Sequence, residues 1–292
     1  MILVFGSINI DVLVPVPHLP LPGETVLGAD YRLLPGGKGA NQALAARRAS
    51  AAVSLAGAVG EDGFARLALA NLRAEGVDLG LVRAVARPTG CAAIMVGEAG
   101  ENLIAVAPGA NCDAAAAGVP ETALGPATTL LCQMEVPPAE TAVLIRRARA
   151  AGSRVILNLA PALPLDLAAL ADIDVLVANR GEATALGGDP AALARGLREA
   201  LVVTGGAEGA TTFLANGGVI RVPTLAIAPV DTTGAGDTFV GVLAAGLDQG
   251  LELEPALRRA SAAAGLACLA AGAQTAMPDS PAIDGAVTRL GN

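Results

Sequence analysis

Residues 230–239 read Val230-Asp231-Thr232-Thr233-Gly234-Ala235-Gly236-Asp237-Thr238-Phe239, and an apolar run continues from there to Leu247. Two glycines set just before such a run predict a helix that begins near Ala235, with several first-turn N–H groups lacking an intrahelical partner. That end of a helix favours an anion, through hydrogen bonds and through the helix dipole. Asp237 adds a carboxylate in the same turn, where it can take a proton from a hydroxyl while the amides face charge developing on a phosphoryl group. Read alone, Asp237 serves equally well as a plain stabiliser of the helix N-terminus.

Around this turn, strand-like and helix-like runs alternate for most of the chain. Strands are predicted at Ile2 to Phe5, Val53 to Ala58, Thr129 to Gln133, Arg154 to Leu157, Asp174 to Ala178 and Leu201 to Thr204. Helices are predicted at Ala40 to Ala49, Phe64 to Glu75, Pro138 to Ala151, Ala235 to Gln249 and Glu254 to Ala271, with a short helical piece at Ala114 to Ala117 and β-rich sequence from Thr211 to Ala228. This rhythm predicts an α/β fold, a mainly parallel central sheet with helices on both faces. Two β-rich patches interrupt it, at about 10–34 and 81–107. The first is punctuated by Pro15, Pro17, Pro20, Pro22 and Gly23, and the second holds a hairpin turning at Gly97-Glu98-Ala99-Gly100. The first predicts a small antiparallel flap, and the two together a small β-sheet lid, on a single unit spanning 1–292.

Two further segments carry polar groups at strand-to-helix junctions. Pro35-Gly36-Gly37-Lys38-Gly39-Ala40-Asn41-Gln42 sets three glycines around one cation, so the backbone can approach a polar ligand closely, with Lys38 available to a phosphate and Asn41 to hydroxyls. Gly6-Ser7-Ile8-Asn9-Ile10-Asp11 follows the first strand, with Asn9 and Asp11 on one side at period two. Each also reads as an ordinary turn.

Composition removes competing chemistries. Of 19 basic side chains, 18 are Arg and one is Lys38, and the chain has one His, one Tyr and no Trp. The lone lysine precedes Gly39, which excludes a Walker A loop. His18 precedes Leu19, which excludes a protein-kinase His-Arg-Asp loop, and a single imidazole excludes His-rich zinc sites. Gly6-Ser7-Ile8-Asn9 after the first strand lacks the GxGxxG fingerprint of a nicotinamide dehydrogenase. A formal charge of -8 argues against a nucleic-acid or anionic-membrane partner. The four cysteines form no CxxC pair and read as buried small hydrophobes. With neither a basic secretory leader nor an apolar span of membrane length, the expected location is cytoplasmic.

The three segments, in this order, resemble the PfkB, or ribokinase-like, sugar kinases. Pro108-Gly109-Ala110-Asn111, Gln133-Met134-Glu135, Asn158-Leu159-Ala160-Pro161-Ala162 and Gly272-Ala273-Gln274 extend the resemblance from about Ile2 to Met277. It implies ATP-dependent phosphorylation of D-ribose at the 5-hydroxyl, with a sister kinase for deoxyribose, fructose or 2-keto-3-deoxygluconate, or a non-catalytic sugar-sensing module, as alternatives. It implies Asp237 as general base, with Gly234, Ala235 and Gly236 as the anion hole and Lys38 reaching the transferring phosphate. Asn9, Asp11, Gly37, Lys38, Asn41, Glu135 and Asp237 would hold the sugar. Asn179, Thr204, Gly206, Gly209 and Gly236 would hold the nucleotide, with Glu182 near Mg2+; Asn179 and Glu182 alone read as a helix capping box, Gly205 to Gly209 as a hairpin turn, and Glu135 as a strand-edge carboxylate. A monovalent cation, expected to be K+, would lie at Asp231, Thr233, Ala267, Ala270 and Gly272. Here the chain departs from the family pattern, with Ala276 where a serine is expected and Thr275 beside it. The alanine-rich surroundings of Ser261 assign no adenine contacts. A homodimer formed through the β lid is also implied.

Overall fold

The computed structural model describes residues 1–163 and 167–291. In chain order the strands are β1 Ile2–Phe5, β2 Asn9–Pro15, β3 Arg32–Gly36, β4 Val53–Gly60, β5 Asp78–Val85, β6 Gly90–Val96, β7 Asn102–Ala107, β8 Thr129–Cys132, β9 Arg154–Asn158, β10 Val175–Asn179, β11 Ala200–Thr204, β12 Ala210–Leu214 and β13 Val219–Val222. Nine of them form one sheet in the order β13-β12-β11-β10-β9-β8-β1-β4-β5. From β11 to β5 every neighbouring pair is parallel, and β12 and β13 add an antiparallel edge.

The side-chain period of β1 explains the layers. Ile2 and Val4 face a core shared with Leu44, Leu243 and Leu257, while Leu3 and Phe5 face one shared with Leu144 and Ile145. The helices Lys38–Arg48, Ala235–Asp248 and Leu253–Ala267 supply the first core, and the helix Pro138–Ala150 the second. Each fully buried Leu contributes roughly 2 kcal/mol of apolar burial, so a strand buried on both faces holds its register firmly.

β1 has β4 on one side and β8 on the other, so the winding of the sheet reverses at β1. In open parallel sheets the crevice beyond the carboxyl ends of the strands at such a reversal is where ligands bind. Gly6, Ser7, Gln133, Glu135, Asn158, Asn179 and Thr204 all lie at or just past those ends.

The second sheet, in the order β3-β2-β6-β7, contains the expected antiparallel flap, β2 with β3, and corrects one expectation. It is mixed: β2 pairs antiparallel with β3 but parallel with β6, because both of those strands leave the main sheet at its carboxyl edge in the same direction. Residues 81–85 belong to β5, the edge strand of the main sheet, so the small sheet takes only β6 and β7 from the second patch. Local details differ too. Leu69 interrupts the helix expected over 64–75, leaving Gly63–Ala68 and Ala70–Ala74, and Ala116–Gly118 is a single 3-10 turn. The helix expected to reach Ala271 stops at Ala267, where the Cys268 carbonyl accepts from the N–H groups of Val230 and Asp231. Of the cysteines only Cys132 is buried; Cys112 is exposed, because it sits on a surface 3-10 turn.

Candidate active site

The Gly36 to Asn41 loop is shaped by close backbone approach. Gly37 caps the Lys38–Arg48 helix with φ 88°, and a Cβ there would lie 2.8 Å from the Asn9 nitrogen. This contact lets Ala40 N–H donate to the Ser7 carbonyl at 2.9 Å. Glu135 closes the junction, accepting from Ser7 Oγ at 2.6 Å and from Lys38 N at 3.1 Å. It is therefore anchored at the crevice and not a free edge carboxylate. On the lid side, Asn111 Nδ2 donates to Asn9 Oδ1 at 2.7 Å, while Asn111 Oδ1 accepts from Ile8 N at 2.9 Å.

Gly234, with φ 75°, caps the Ala235–Asp248 helix, and a Cβ there would lie 2.8 Å from Ala273. Asp237, 8% exposed, does not cap this helix. Its Oδ2 accepts from Asn41 Nδ2 and its Oδ1 from Gln42 Nε2, both at 2.9 Å. Two side-chain amides from a different helix thus orient the carboxylate. Ala235 N–H donates to the Thr232 carbonyl at 3.2 Å, but the N–H groups of Gly234, Gly236 and Asp237 meet no acceptor among the described residues. A cavity of about 140 Å³ opens here, lined by Lys38, Asn158, Asn179, Glu182, Thr204 and Asp237 with Gly234 and Gly236.

Lys38 stands among three carboxylates. The charge of Asp237 holds its ammonium above the ordinary lysine range, Glu135 and Glu182 add to this, and burial opposes it. Asp11 is pushed up to about 6, first by burial, then by the charges of Glu135 and Asp237. The sign follows by linkage: between its ordinary value of 3.8 and about 6 the folded chain holds more protons than the unfolded one, so this group's contribution to stability falls as pH rises through that window. We expect Asp11→Asn to melt a few degrees higher than the parent at pH 7.5, since ~2 to 3 kcal/mol of ionisation cost is removed. Thermal melts from pH 4 to 8 check it; a Tm difference that does not shrink toward pH 4 would contradict it.

The remaining predicted positions divide. Asn179 and Glu182 form the full capping box, Glu182 N donating to Asn179 Oδ1 at 2.9 Å and Asn179 N to Glu182 Oε2 at 2.7 Å, yet both also line the cavity. Thr204 lines it as well, whereas Gly206 and Gly209 turn the chain from β11 into β12 and do not. Asp231 accepts from Thr233 N and Oγ1 and, at 2.8 Å, from Gly272 N. No described donor reaches the carbonyls of Ala267, Ala270 or Gly272. Thr275 Oγ1 donates to the Ala271 carbonyl at 2.8 Å. Ser261 is buried, its hydroxyl donating to the Pro223 carbonyl.

Beside Asn41, Gln42 backs the Asp237 carboxylate, and it is joined to Gln133 and Asn158, three residues to which the sequence assigns no role. Gln42 Nε2 also donates to Asn158 Oδ1 at 2.9 Å, and Gln42 Oε1 accepts from Gln133 Nε2 at 2.7 Å. The available signal was that four carboxamides at crevice positions, Asn41, Gln42, Gln133 and Asn158, fall at apolar-looking sites, where an unpaired amide is costly.

Phosphoryl transfer onto a hydroxyl is the class of reaction that this crevice and fold can serve. A family model described as "pfkB family carbohydrate kinase" matches residues 1–280. The chain is 37% identical over 286 residues to the ribokinase of Bacillus subtilis, covering 95% of this chain and 96% of that one. Ribokinase from Thermotoga maritima superposes with a TM-score of 0.91 at 30% identity, over 98% of this chain and 99% of that one. Arabidopsis thaliana ribokinase complexed with ribose and ATP superposes at 0.87 with 30% identity, over 98% of each chain. This chain belongs to the pfkB family of carbohydrate kinases. The expected ribokinase-like α/β fold is the one observed, and the enzyme class is sugar kinase.

Proposed function

We propose that this chain transfers the γ-phosphoryl group of ATP to the 5-hydroxyl of D-ribose. The observation that carries the reading is Asp237, buried at a helix N-terminus beside unpartnered backbone N–H groups and oriented from behind by Asn41 and Gln42. Its carboxylate takes the hydroxyl proton as the sugar oxygen forms its bond to phosphorus and the bond to the ADP oxygen breaks. Gly234 and Gly236 would meet the negative charge on the phosphoryl oxygens with free N–H groups, Ala235 would join them on releasing its 3.2 Å bond to the Thr232 carbonyl, and Lys38 would add a point charge. Asn9, Asp11, Gly37, Asn41 and Glu135 would hold the sugar hydroxyls. Asn179, Thr204, Gly206, Gly209 and Gly236 would hold the nucleotide.

The residues present fit two ions. Glu182 Oε1 has no donor among the described residues, and Glu182 lines the same cavity as Lys38 and Asp237, which suits the water-rich shell of Mg2+. The Asp231 carboxylate with the unpartnered carbonyls of Ala267, Ala270 and Gly272, beside Thr233, suits a hard monovalent cation such as K+, although no cluster of three or more His, Cys, Asp or Glu side chains is present among the described residues. Such ions would neutralise phosphate charge and steady the helix start.

Edge strand β7 leaves Leu103, Ile104 and Val106 47%, 52% and 55% exposed, an apolar row that a second copy would cover, so we propose a homodimer through the lid. No helix among the described residues is long and apolar enough to cross a membrane, and an ATP-consuming reaction is supplied in the cytoplasm, the compartment we propose. One preparation tests both readings. ADP release over pentoses and hexoses is expected to rank ribose first, with deoxyribose, fructose or 2-keto-3-deoxygluconate in that place overturning the assignment; light scattering is expected to give twice the chain mass, with a monomer at micromolar concentration overturning the dimer.

A further inference from the structure

Behind Asn41 the hydrogen bonds continue. Gln274, 2% exposed, donates from Nε2 to Asn41 Oδ1 at 3.0 Å, and its own Oε1 accepts from Asn71 Nδ2 at 3.0 Å. Asn71 lies on the short Ala70–Ala74 helix and is partly exposed. The three amides run in one direction, Asn71 to Gln274 to Asn41 to Asp237, each donating toward the carboxylate. An amide can present either its N–H or its oxygen to a neighbour, so the polarity of Asn41 is set by what stands behind it.

Gln274 also sits in a segment that touches the helix start directly. Gly272 N–H donates to Asp231 Oδ2, Ala273 packs on Gly234, and Arg48 Nη1 holds the Gln274 carbonyl at 2.7 Å. Three consecutive residues therefore reach Asp231, Gly234 and, through Asn41, Asp237.

We propose that Gln274 is a positioning residue for the reaction: acting through Asn41, it fixes the orientation of the Asp237 carboxylate and ties it to the 272–274 segment that packs on the anion hole. This rests on the reading of Asp237 as the base. Gln274→Glu separates polarity from packing, because it keeps the shape while turning the group that faces Asn41 into an acceptor. Asn41 must then flip its amide and present an oxygen to Asp237.

The test is steady-state kinetics on full-length Gln274→Glu, Gln274→Leu, Asn71→Leu and Asp237→Asn, with melts to establish folding. For Gln274→Glu we expect kcat to fall roughly tenfold or more with the KM for ATP little changed, and a smaller loss for Gln274→Leu. In an Asn41→Ala background, Gln274→Leu is expected to add no further loss. Asn71→Leu, at the outer end, is expected to lower kcat about two- to fivefold and serves if a Gln274 variant does not fold. An inactive Asp237→Asn beside Gln274 and Asn71 variants of wild-type kcat would overturn the relay alone, as would a Gln274→Leu loss that persists undiminished in Asn41→Ala. Full turnover in Asp237→Asn would overturn the base reading and the relay with it.

Discussion

Asp237→Asn is expected to lower kcat by about 10³- to 10⁴-fold, at the upper end of what a positioned general base contributes. The side chain keeps its shape, so the cavity and the helix start are preserved while the proton acceptor is lost. It also changes one hydrogen bond: with Asn41 and Gln42 both donating, one of the two oxygens becomes an amide N–H facing another donor. Asp237→Glu serves as the companion, keeping the charge but advancing the carboxylate by one methylene, and should recover part of the loss, since a misplacement of about 1 Å costs on the order of 10². The charge of Asp237 is also the largest influence holding the Lys38 ammonium up, so Asp237→Asn should bring that pKa down toward the ordinary lysine value. Single-turnover ADP formation and an NMR titration of Lys38 read the two effects separately. A kcat for Asp237→Asn within about tenfold of the parent would sink the assignment of the base.

What the sequence made legible is what depends on neighbours along the chain. The helix start at 234–239 and the loop at 36–41 each carry their conformational reason in their own glycines, and Ile2 to Phe5 carries its burial in its own composition. The lid was legible as β structure but not as a mixed sheet, because whether β2 meets β6 in parallel depends on two strands about 80 residues apart leaving the main sheet in the same direction. Residues 81–85 were misassigned for a related reason: β5 is an edge strand with an alternating, half-exposed pattern, which resembles a lid strand more than a buried parallel one. Burial of the Cys268 neighbourhood was overestimated because its helix ends one residue earlier, at Ala267, and the chain turns outward to meet Asp231. The bonds that join Gln133, Gln42 and Asn158, and the separate relay from Gln274 to Asn41, were not legible, since each joins segments far apart in the chain, although the amides themselves fall at apolar-looking sites.

Lys38→Met is expected to reduce kcat roughly 10²-fold, the scale of losing one preorganised charge or donor at a developing phosphoryl anion. Met keeps most of the aliphatic stem, and the capping geometry at Gly37 and the Lys38 N–H bond to Glu135 belong to the backbone, so the helix start survives the change. What disappears is the cation that Asp237, Glu135 and Glu182 surround, and the repulsion of those carboxylates then acts on the incoming phosphates without it. Lys38→Arg should not restore the parent rate, because a planar fork needs more room than an ammonium in a cavity of about 140 Å³. The same residue provides a direct occupancy reading, since it is the chain's only ε-amine. Its raised pKa keeps it protonated at neutral pH and slow toward amine-directed reagents, so labelling at about pH 9, followed by peptide mass, should be slow on the apo chain and slower still with ATP and ribose bound. Labelling of Lys38 that saturated ATP and ribose leave unchanged, together with a Lys38→Met rate near the parent's, would remove the ammonium from the phosphate's path.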